Sequence, residues 1–249
     1  TRAPFRIVAD LVYDGASGAI AVDDHMWAQR VLRLRQVIND RPQVLAGSIL
    51  NDLRQQKTSS EIERLQEAAA AIESVHRLIP SIVRPGMTES AVAHRISAAI
   101  IDAGHTGVDF VIVASGPNGA NPHHSVSERV IGVGDPIVID IGGTMPGGYR
   151  SDCTRTYVIG EASADYSAAF EVLRHAQESS VAFVNGQRTC ESIDAHARGL
   201  MHDHHLDGRP LDDYFIHRIG HGIGLESHEE PYLVEGNTDL LKPGMAFSI

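Results

Sequence analysis

The sequence predicts an α+β protein whose sheet is largely antiparallel. Helix-like and strand-like stretches are segregated along the chain instead of alternating strictly, which is typical of this class. A length of 249 residues and a hydrophobic fraction of 43% are enough for a sizeable core and one or two domains. The sequence contains no internal repeat, so a solenoid is excluded.

Residues 1–57 differ from the rest of the chain. Short apolar runs surround a helix-like stretch at Trp27–Ile38, and Asp14–Gly15 predicts a turn. This pattern fits part of an α/β unit. Because the segment is short for a domain and begins without an initiator methionine, we expect it to be the C-terminal part of a longer N-terminal domain. The predicted boundary lies near Lys57.

Two helices are predicted at the start of the second domain. The residues Ser60–Glu63 match a capping box, and apolar side chains then recur at helical spacing as far as about Val83. Thr88 can cap a second helix that runs through Ile101. Gly104 tolerates the left-handed conformation that ends many helices, so the second helix is expected to stop there.

Three strand-like runs follow these helices. They are rich in apolar or alternating residues and lie at 108–115, 136–142 and 149–160. Two more helical stretches are predicted near 164–184 and 190–203.

Composition excludes several classes of protein. A net charge of −11 disfavours a nucleic-acid partner, because phosphate binding draws on clustered basic residues. No apolar run is long enough for a membrane span and the N-terminal residues lack a secretory signal pattern, so we predict a cytoplasmic protein with no membrane partner. The two cysteines, Cys153 and Cys190, are too few for a disulfide framework and are predicted to be free thiols.

Two carboxylates stand where strand residues are usually apolar. Asp140 ends the run PIVID, and Asp152 lies on the next strand after a glycine-rich turn, so the two are expected to meet as a cross-strand pair on one sheet face. Facing carboxylates repel unless something compensates them. A shared divalent metal, a single shared proton, and a counter-ion from Arg150 or Arg155 are the three alternatives that the pair leaves open.

The segment HRIGHGIGLESHEEP at 217–231 favours the metal. Its histidines lie among glycines that let the backbone pass close to other groups, as expected for residues that line a pocket; they are His217, His221 and His228. With carboxylates, an imidazole would suit manganese, iron, cobalt or zinc. A phosphate-binding loop is disfavoured because GHGIG lacks the GK[ST] ending. A plain surface position is the interpretation for other histidines, namely His202, His204 and His205.

Six motifs carry a family resemblance, in the family's order. They are RPGMTE, SGPNGANPHH, VIDIGG, GYRSDCTRTY, HRIGHGIGLESHEEP and KPGMAFSI. Through them, residues 58–249 resemble the pita-bread metallopeptidase family (M24), in the branch of Xaa-Pro aminopeptidase and Xaa-Pro dipeptidase (prolidase). The resemblance implies a pita-bread catalytic domain over 58–249, with a curved antiparallel sheet flanked by helices and preceded by the tail of a smaller α/β domain.

Carried over residue by residue, the resemblance implies a metal centre. Asp140 would chelate one ion, Asp152 would bridge two ions, and His221 would supply the imidazole ligand. Two further glutamate ligands are expected beyond Ile249, so the catalytic domain is expected to be incomplete at its C-terminus and the chain to be truncated at both ends. A fragment with three ligands is expected to bind metal weakly, and its own activity is left open.

The resemblance also assigns the substrate pocket. His123, His217 and His228 would hold the peptide, and His123 and His228 would take part in catalysis. His124 is the alternative to His123, which is favoured because it directly follows the proline. The spacing between Asp140 and Asp152 is one residue longer than in many relatives, and we expect no functional change from it.

The implied activity is hydrolysis of the bond between an N-terminal residue and proline, by a hydroxide that bridges two divalent ions. Mn²⁺ is the favoured metal, with Co²⁺, Zn²⁺ or Fe²⁺ as alternatives, and relatives suggest a homodimer. Other functions within the same fold are a methionine aminopeptidase, a metal-free amidinohydrolase of the creatinase type, and a catalytically inactive binding module. The amidinohydrolase fits poorly because it does not need this Asp, Asp and His set.

Overall fold

The computed structural model describes residues 4–13, 18–38 and 40–249, so the predicted Asp14–Gly15 turn lies outside the described residues. The chain divides into two compact units, residues 1–54 and 55–249. The division falls close to the boundary predicted near Lys57. Helices and mainly antiparallel sheets confirm the α+β class.

The first unit pairs short helices with a two-stranded parallel sheet. Its elements are α1 (Pro4–Tyr13), β1 (Ile20–Val22), α2 (Ala28–Val37), β2 (Gln43–Leu45) and α3 (Gly47–Gln55). Strand β1 lies parallel to β2. A small core centred on Leu34 and the fully buried Ile38 joins α1, α2 and β1.

Four helices belong to the second unit. They are α4 (Ser59–Ile82), α5 (Glu89–Asp102), α6 (Ala164–Phe183) and α7 (Cys190–His202). Each predicted helix is present, and Thr88 caps α5 as expected. The capping box of α4 was placed two residues late, because Thr58 is the N-cap and exchanges hydrogen bonds with Glu61. A threonine hydroxyl can fill the same role as serine, so the sequence offered two candidates.

The central sheet of the second unit contains three antiparallel strands. They are β3 (Gly107–Ser115), β4 (Pro136–Thr144) and β5 (Arg150–Val158), in the order β3-β4-β5. Two smaller antiparallel pairs follow, β6 (His205–Leu206) with β7 (Arg209–Pro210) and β8 (Gly220–Gly222) with β9 (Glu229–Leu233). Short 3₁₀ helices lie at Gly116–Ala120 and Leu211–Tyr214.

The main core lies between the central sheet and the helices α4 and α5. Ile137, Ile139 and Ile141 of β4 are fully buried against apolar side chains of both helices, such as Ile79 and Ile96. Fully burying a side chain of this size stabilises the fold by roughly 1.5–3 kcal/mol. Because side chains alternate along a strand, the even-numbered residues of β4 face away from these helices. This alternation places Asp140 on the opposite face.

A separate apolar cluster supports β8 and β9. It contains Ile193 of α7 together with Leu233 and Leu241, all buried. The segment near Phe247 runs beside β8, because the amide of Ser248 donates to the carbonyl of His221 at 2.8 Å. The hairpin that carries His221 is therefore held from both sides.

The structure also describes the two cysteines and the hydropathy of the helices. Cys153 and Cys190 are free thiols, as predicted. None of the helices in the described ranges combines the length and hydrophobicity that crossing a membrane requires.

Candidate metal centre

Asp140 and Asp152 lie on the same face of the central sheet. In the register of β4 with β5, Asp140 is opposite Thr154 and Asp152 is opposite Gly142. The two carboxylates are therefore diagonal neighbours across the two strands, in agreement with the predicted cross-strand pair on one sheet face. The length of the turn between the strands sets that register, and it could not be read from the strand residues alone.

The position opposite Asp140 is a residue that the sequence argument missed. The Thr154 hydroxyl donates a hydrogen bond of 2.7 Å to Oδ1 of Asp140. Burial raises the pKa of Asp140, the Thr154 hydrogen bond lowers it, and the charge of Asp152 raises it again. The sequence does contain a signal for Thr154: it is a hydroxyl residue two positions after Asp152, and this spacing places it on the same strand face.

The arginine alternative does not hold in the described residues. Arg150 instead forms an ion pair with Asp109 of β3 at 2.6 Å. Arg155 is separated from Asp152 by an odd number of strand positions, so it points to the other face, where it donates to the Thr154 carbonyl. Neither arginine forms an ion pair with Asp140 or Asp152 in the described part of the chain.

Arg150 has a different structural role that sequence reasoning did not anticipate. Its backbone amide donates to the carbonyl of Gly224 at 2.9 Å, and its Nε donates to the carbonyl of Leu225 at 3.2 Å. These bonds tie strand β5 to the glycine-rich segment after β8. The histidine loop is thereby brought over the carboxylate face of the sheet.

His221 of β8 faces Asp152 directly. Its Nδ1 lies 3.0 Å from the carbonyl oxygen of Gly222, which can only accept, so Nδ1 carries the proton. In the neutral ring, Nε2 then presents its lone pair 3.4 Å from Oδ2 of Asp152. Both side chains are mostly buried, at 14% and 12% exposed. Fixing one ring nitrogen with a carbonyl is the usual way in which a protein orients a metal-binding histidine.

The glycines around His221 are required by close contacts. A Cβ on Gly222 would lie 2.3 Å from the carbonyl oxygen of Glu230, and a Cβ on Gly224 would lie 2.5 Å from Oε1 of Glu229. Real side chains do not approach backbone this closely. The prediction that glycine lets the backbone pass close to other groups here is confirmed.

His228 joins Asp152 and His221 in a compact group. Among the described residues, these three can each offer one ligand atom within 4.8 Å of the others. The rings of His221 and His228 are 4.1 Å apart and tilted by 43°. Partial desolvation lowers the pKa of His228, and the neighbouring His221 lowers it further.

The remaining predicted histidines occupy different places. His123 is exposed, and it lies near enough to Asp140 and His228 for its charge to lower the pKa of both. His124 points elsewhere and contacts Glu89 at 2.8 Å. The ring of His217 is exposed, packs 4.4 Å from Phe215 and contacts the Arg218 carbonyl at 2.7 Å. These described contacts of His217 do not join it to the Asp152 group.

Three other histidines were predicted to be plain surface residues. The side chains at positions 202, 204 and 205 are exposed, as predicted. His202 lies 3.1 Å from Asp212, and the hydrogen bond and charge of that carboxylate raise the pKa of His202.

The donor set fits a divalent cation. A carboxylate oxygen and an imidazole nitrogen face each other at 3.4 Å, and both are atoms that can act as ligands of a divalent cation. Asp140 adds a second carboxylate beside them, and its pKa responds to both Asp152 and His221. Mixed carboxylate and imidazole ligands suit manganese, iron, cobalt or zinc.

The chain is similar to several known proteins. A family profile described as "Metallopeptidase family M24" matches residues 63–249. The chain is 46% identical over 246 residues to a "Probable dipeptidase PepE" of Mycobacterium tuberculosis, covering 99% of this chain and 64% of the relative. It is 32% identical over 257 residues to an "Xaa-Pro dipeptidase" of Lactobacillus helveticus, covering 99% of this chain and 67% of the relative.

A solved structure supports the fold. The "Xaa-Pro dipeptidase from Bacillus anthracis" superposes with a TM-score of 0.90 at 32% identity, over 98% of this chain and 67% of that one. Likeness to prolidase structures confirms the predicted pita-bread fold. The chain thus spans about two thirds of the length of the proteins that it matches.

Proposed function

The chain belongs to metallopeptidase family M24, and from this membership we propose that the full-length protein is a metal-dependent peptidase that cuts between an N-terminal residue and proline. The observation that carries the proposal is Nε2 of His221, held 3.4 Å from Oδ2 of Asp152 in a mostly buried site. Relatives named as Xaa-Pro dipeptidases support the proline preference.

The proposed ligands are Asp140, Asp152 and His221, with Asp152 shared between two ions. Mn²⁺ is the proposed metal, since two carboxylates and one imidazole suit it. Divalent ions bound at such a site polarise a carbonyl group and lower the pKa of water to about 7. The hydrogen bond from Thr154 holds Asp140 in the orientation that ligation requires.

The histidines would act on the peptide. A ring N–H of His228 can donate a hydrogen bond to the oxygen of the scissile carbonyl as negative charge develops there. His123, which interacts electrostatically with both Asp140 and His228, would contact the substrate on the same side. His217 is proposed as a third substrate contact on the family resemblance, and would have to turn from its present contact with Phe215.

Peptides with proline in the second position are therefore the proposed substrates. Dipeptides are preferred in this proposal, because the relative at 46% identity is named a dipeptidase. The net charge of −11 argues against a nucleic-acid partner. The proposed homodimer rests on the family resemblance alone.

A hydrolysis assay on the full-length protein tests the proposal. Chelator-treated protein is given an Xaa-Pro dipeptide, an Xaa-Pro-Xaa tripeptide or an Xaa-Ala dipeptide, with and without Mn²⁺. We expect Mn²⁺-dependent release of free proline from the first substrate, and little cleavage of the Xaa-Ala peptide.

Two variants make the assay specific to the site. Asp152→Ala should abolish cleavage, whereas Asp102→Ala removes a carboxylate from an exposed position and should not. Cleavage by Asp152→Ala at the wild-type rate would refute the proposed site. Binding of Mn²⁺ without cleavage of any peptide would favour the inactive binding module.

A further inference from the structure

Glu89 is a fully buried carboxylate outside the candidate metal centre. It is 0% exposed and occupies the first position of α5. A charge in such a place is costly unless several donors compensate it. The donors that surround Glu89 come almost entirely from one segment of chain.

That segment is residues 115–127, which form the first part of the connection between β3 and β4. At its start, both the amide and the hydroxyl of Ser115 donate to Oε1 of Glu89 at 2.7 Å. At its end, the hydroxyl of Ser127 donates to Oε2 at 2.7 Å. Between them, Asn118 donates to both oxygens at 3.0 and 3.2 Å, and Nε2 of His124 lies 2.8 Å from Oε2. One carboxylate therefore holds both ends and the middle of the loop.

The same loop carries His123. The amide of His123 donates to the side chain of Asn121 at 3.1 Å, and the amide of His124 donates to the Asn121 carbonyl at 3.1 Å. The two histidines are thus held in one local turn. While His124 contacts Glu89, the adjacent His123 is exposed, and its backbone is held in the same turn.

In the hydrogen-bond network around Glu89, each donor faces an acceptor. The Ser115 hydroxyl donates to Glu89 and accepts from Arg129 at 2.7 Å, and Arg129 pairs with Asp135 at 2.7 Å. Each carboxylate oxygen of Glu89 already accepts at least three hydrogen bonds from the loop. No lone pair is left for a metal or a peptide, so any functional role of Glu89 is indirect.

We propose that Glu89 is a positioning residue that fixes the loop of residues 116–127 so that His123 faces the substrate side of the metal centre. This inference rests on the proposed peptidase function. His124 and Ser127 are the partners through which Glu89 acts, and His123 is the residue whose placement depends on them.

Hydrogen–deuterium exchange tests the anchoring independently of activity. In Glu89→Gln, one oxygen is replaced by an amide group that cannot accept, so some loop donors lose their partner. Amides of residues 116–127 should exchange about tenfold faster or more, while those of β4 and β5 should be unchanged. Glu128→Gln is the matched control, because Glu128 is exposed at the end of the same loop.

A double-mutant cycle tests whether Glu89 acts through His123. Glu89→Gln should lower kcat/KM for an Xaa-Pro dipeptide about tenfold in the wild type, but less than about twofold in a His123→Ala background. Mn²⁺ affinity should stay within about twofold of the wild type in Glu89→Gln, because the metal ligands lie on other elements. A general structural defect would instead reduce activity equally in both backgrounds.

Several results would overturn the inference. Unchanged loop exchange in Glu89→Gln would do so, and so would an equal loss of kcat/KM with and without His123. If the wild type cleaves no peptide, the proposed function fails and the exchange measurement alone decides whether Glu89 anchors the loop. If Glu89→Gln does not fold, His124→Ala replaces it with the same expected results, since it removes one donor and leaves the carboxylate its others.

Discussion

The hydroxyl of Thr154 determines how the Asp140 carboxylate is presented. It donates a hydrogen bond of 2.7 Å to Oδ1 of Asp140. Because Thr154 is exposed, little else in the fold depends on its side chain. Thr154→Val should lower Mn²⁺ affinity about tenfold, the lower end of the effect of losing a partner of a metal ligand. Thr154→Ser keeps the hydroxyl and should bind as the wild type does. Equal affinities in a calorimetric titration of both variants and the wild type would contradict this role.

Glu89 makes stability depend on pH in acid. Burial alone would raise its pKa, but hydrogen bonds from Ser115, Asn118 and Ser127 outweigh burial and lower the pKa from 4.5 to about 2. The folded state therefore holds the ionised form more strongly than the unfolded state does. The resulting stabilisation is complete above pH 4.5 and is lost as the pH falls towards 2.

The difference between the pKa values of Glu89 in the unfolded and folded states corresponds to about 3 kcal/mol of unfolding free energy. Urea unfolding at several pH values should show the wild type losing its advantage over Glu89→Gln between about pH 5 and pH 2. Curves that stay parallel over that interval would mean that the carboxylate is not held in its ionised form.

Residue types at the centre were predictable from sequence, but their geometry was not. Asp140, Asp152 and His221 stood out because charged or imidazole groups interrupt apolar or glycine-rich strands. The diagonal register of Asp140 and Asp152 depends on the hairpin turn. The different directions of the His123 and His124 side chains depend on Glu89, which is 35 positions from His124 in sequence. Such long-range pairings leave no local pattern.

At the scale of elements, some glycines lie in close contact with neighbouring backbone and others have open space around them. A Cβ on Gly222 in β8 would lie 2.3 Å from the Glu230 carbonyl, whereas a Cβ on Gly199 in α7 would meet nothing within 4 Å. Gly222→Ala should therefore lower the unfolding free energy by about 2 kcal/mol. Gly199→Ala should raise it by up to about 1 kcal/mol, because alanine favours the helix. Chemical denaturation of both variants measures the contrast, and a Gly222→Ala as stable as the wild type would show that the hairpin can open.

Helices and strands of the second unit were predicted to within about two residues at most ends because periodicity and caps agree there. Thr88 and Gly104 bracket α5, and alternation of buried isoleucines marks β4. The short strands β8 and β9 were not predicted, because a three-residue strand with two glycines and a five-residue strand that contains a proline lack a strand-like sequence pattern. They form through pairing with each other and support from Leu233 and Leu241.

At the scale of the whole molecule, all of the proposed site residues lie in the unit of residues 55–249. A core of helices on one sheet face leaves the other face free to carry carboxylates, and the hairpin of β8 and β9 brings histidines to them. The two faces of the sheet therefore have different roles. This difference explains how stability and the proposed chemistry are separated in one domain.

Calorimetric titration of the metal-free full-length protein with Mn²⁺ tests the metal centre most directly. His221→Gln should weaken Mn²⁺ binding at least about tenfold, because it removes the imidazole that faces Asp152. His204→Gln, a change at an exposed histidine, should bind as the wild type does. Undiminished Mn²⁺ binding by His221→Gln would contradict the assignment of this site.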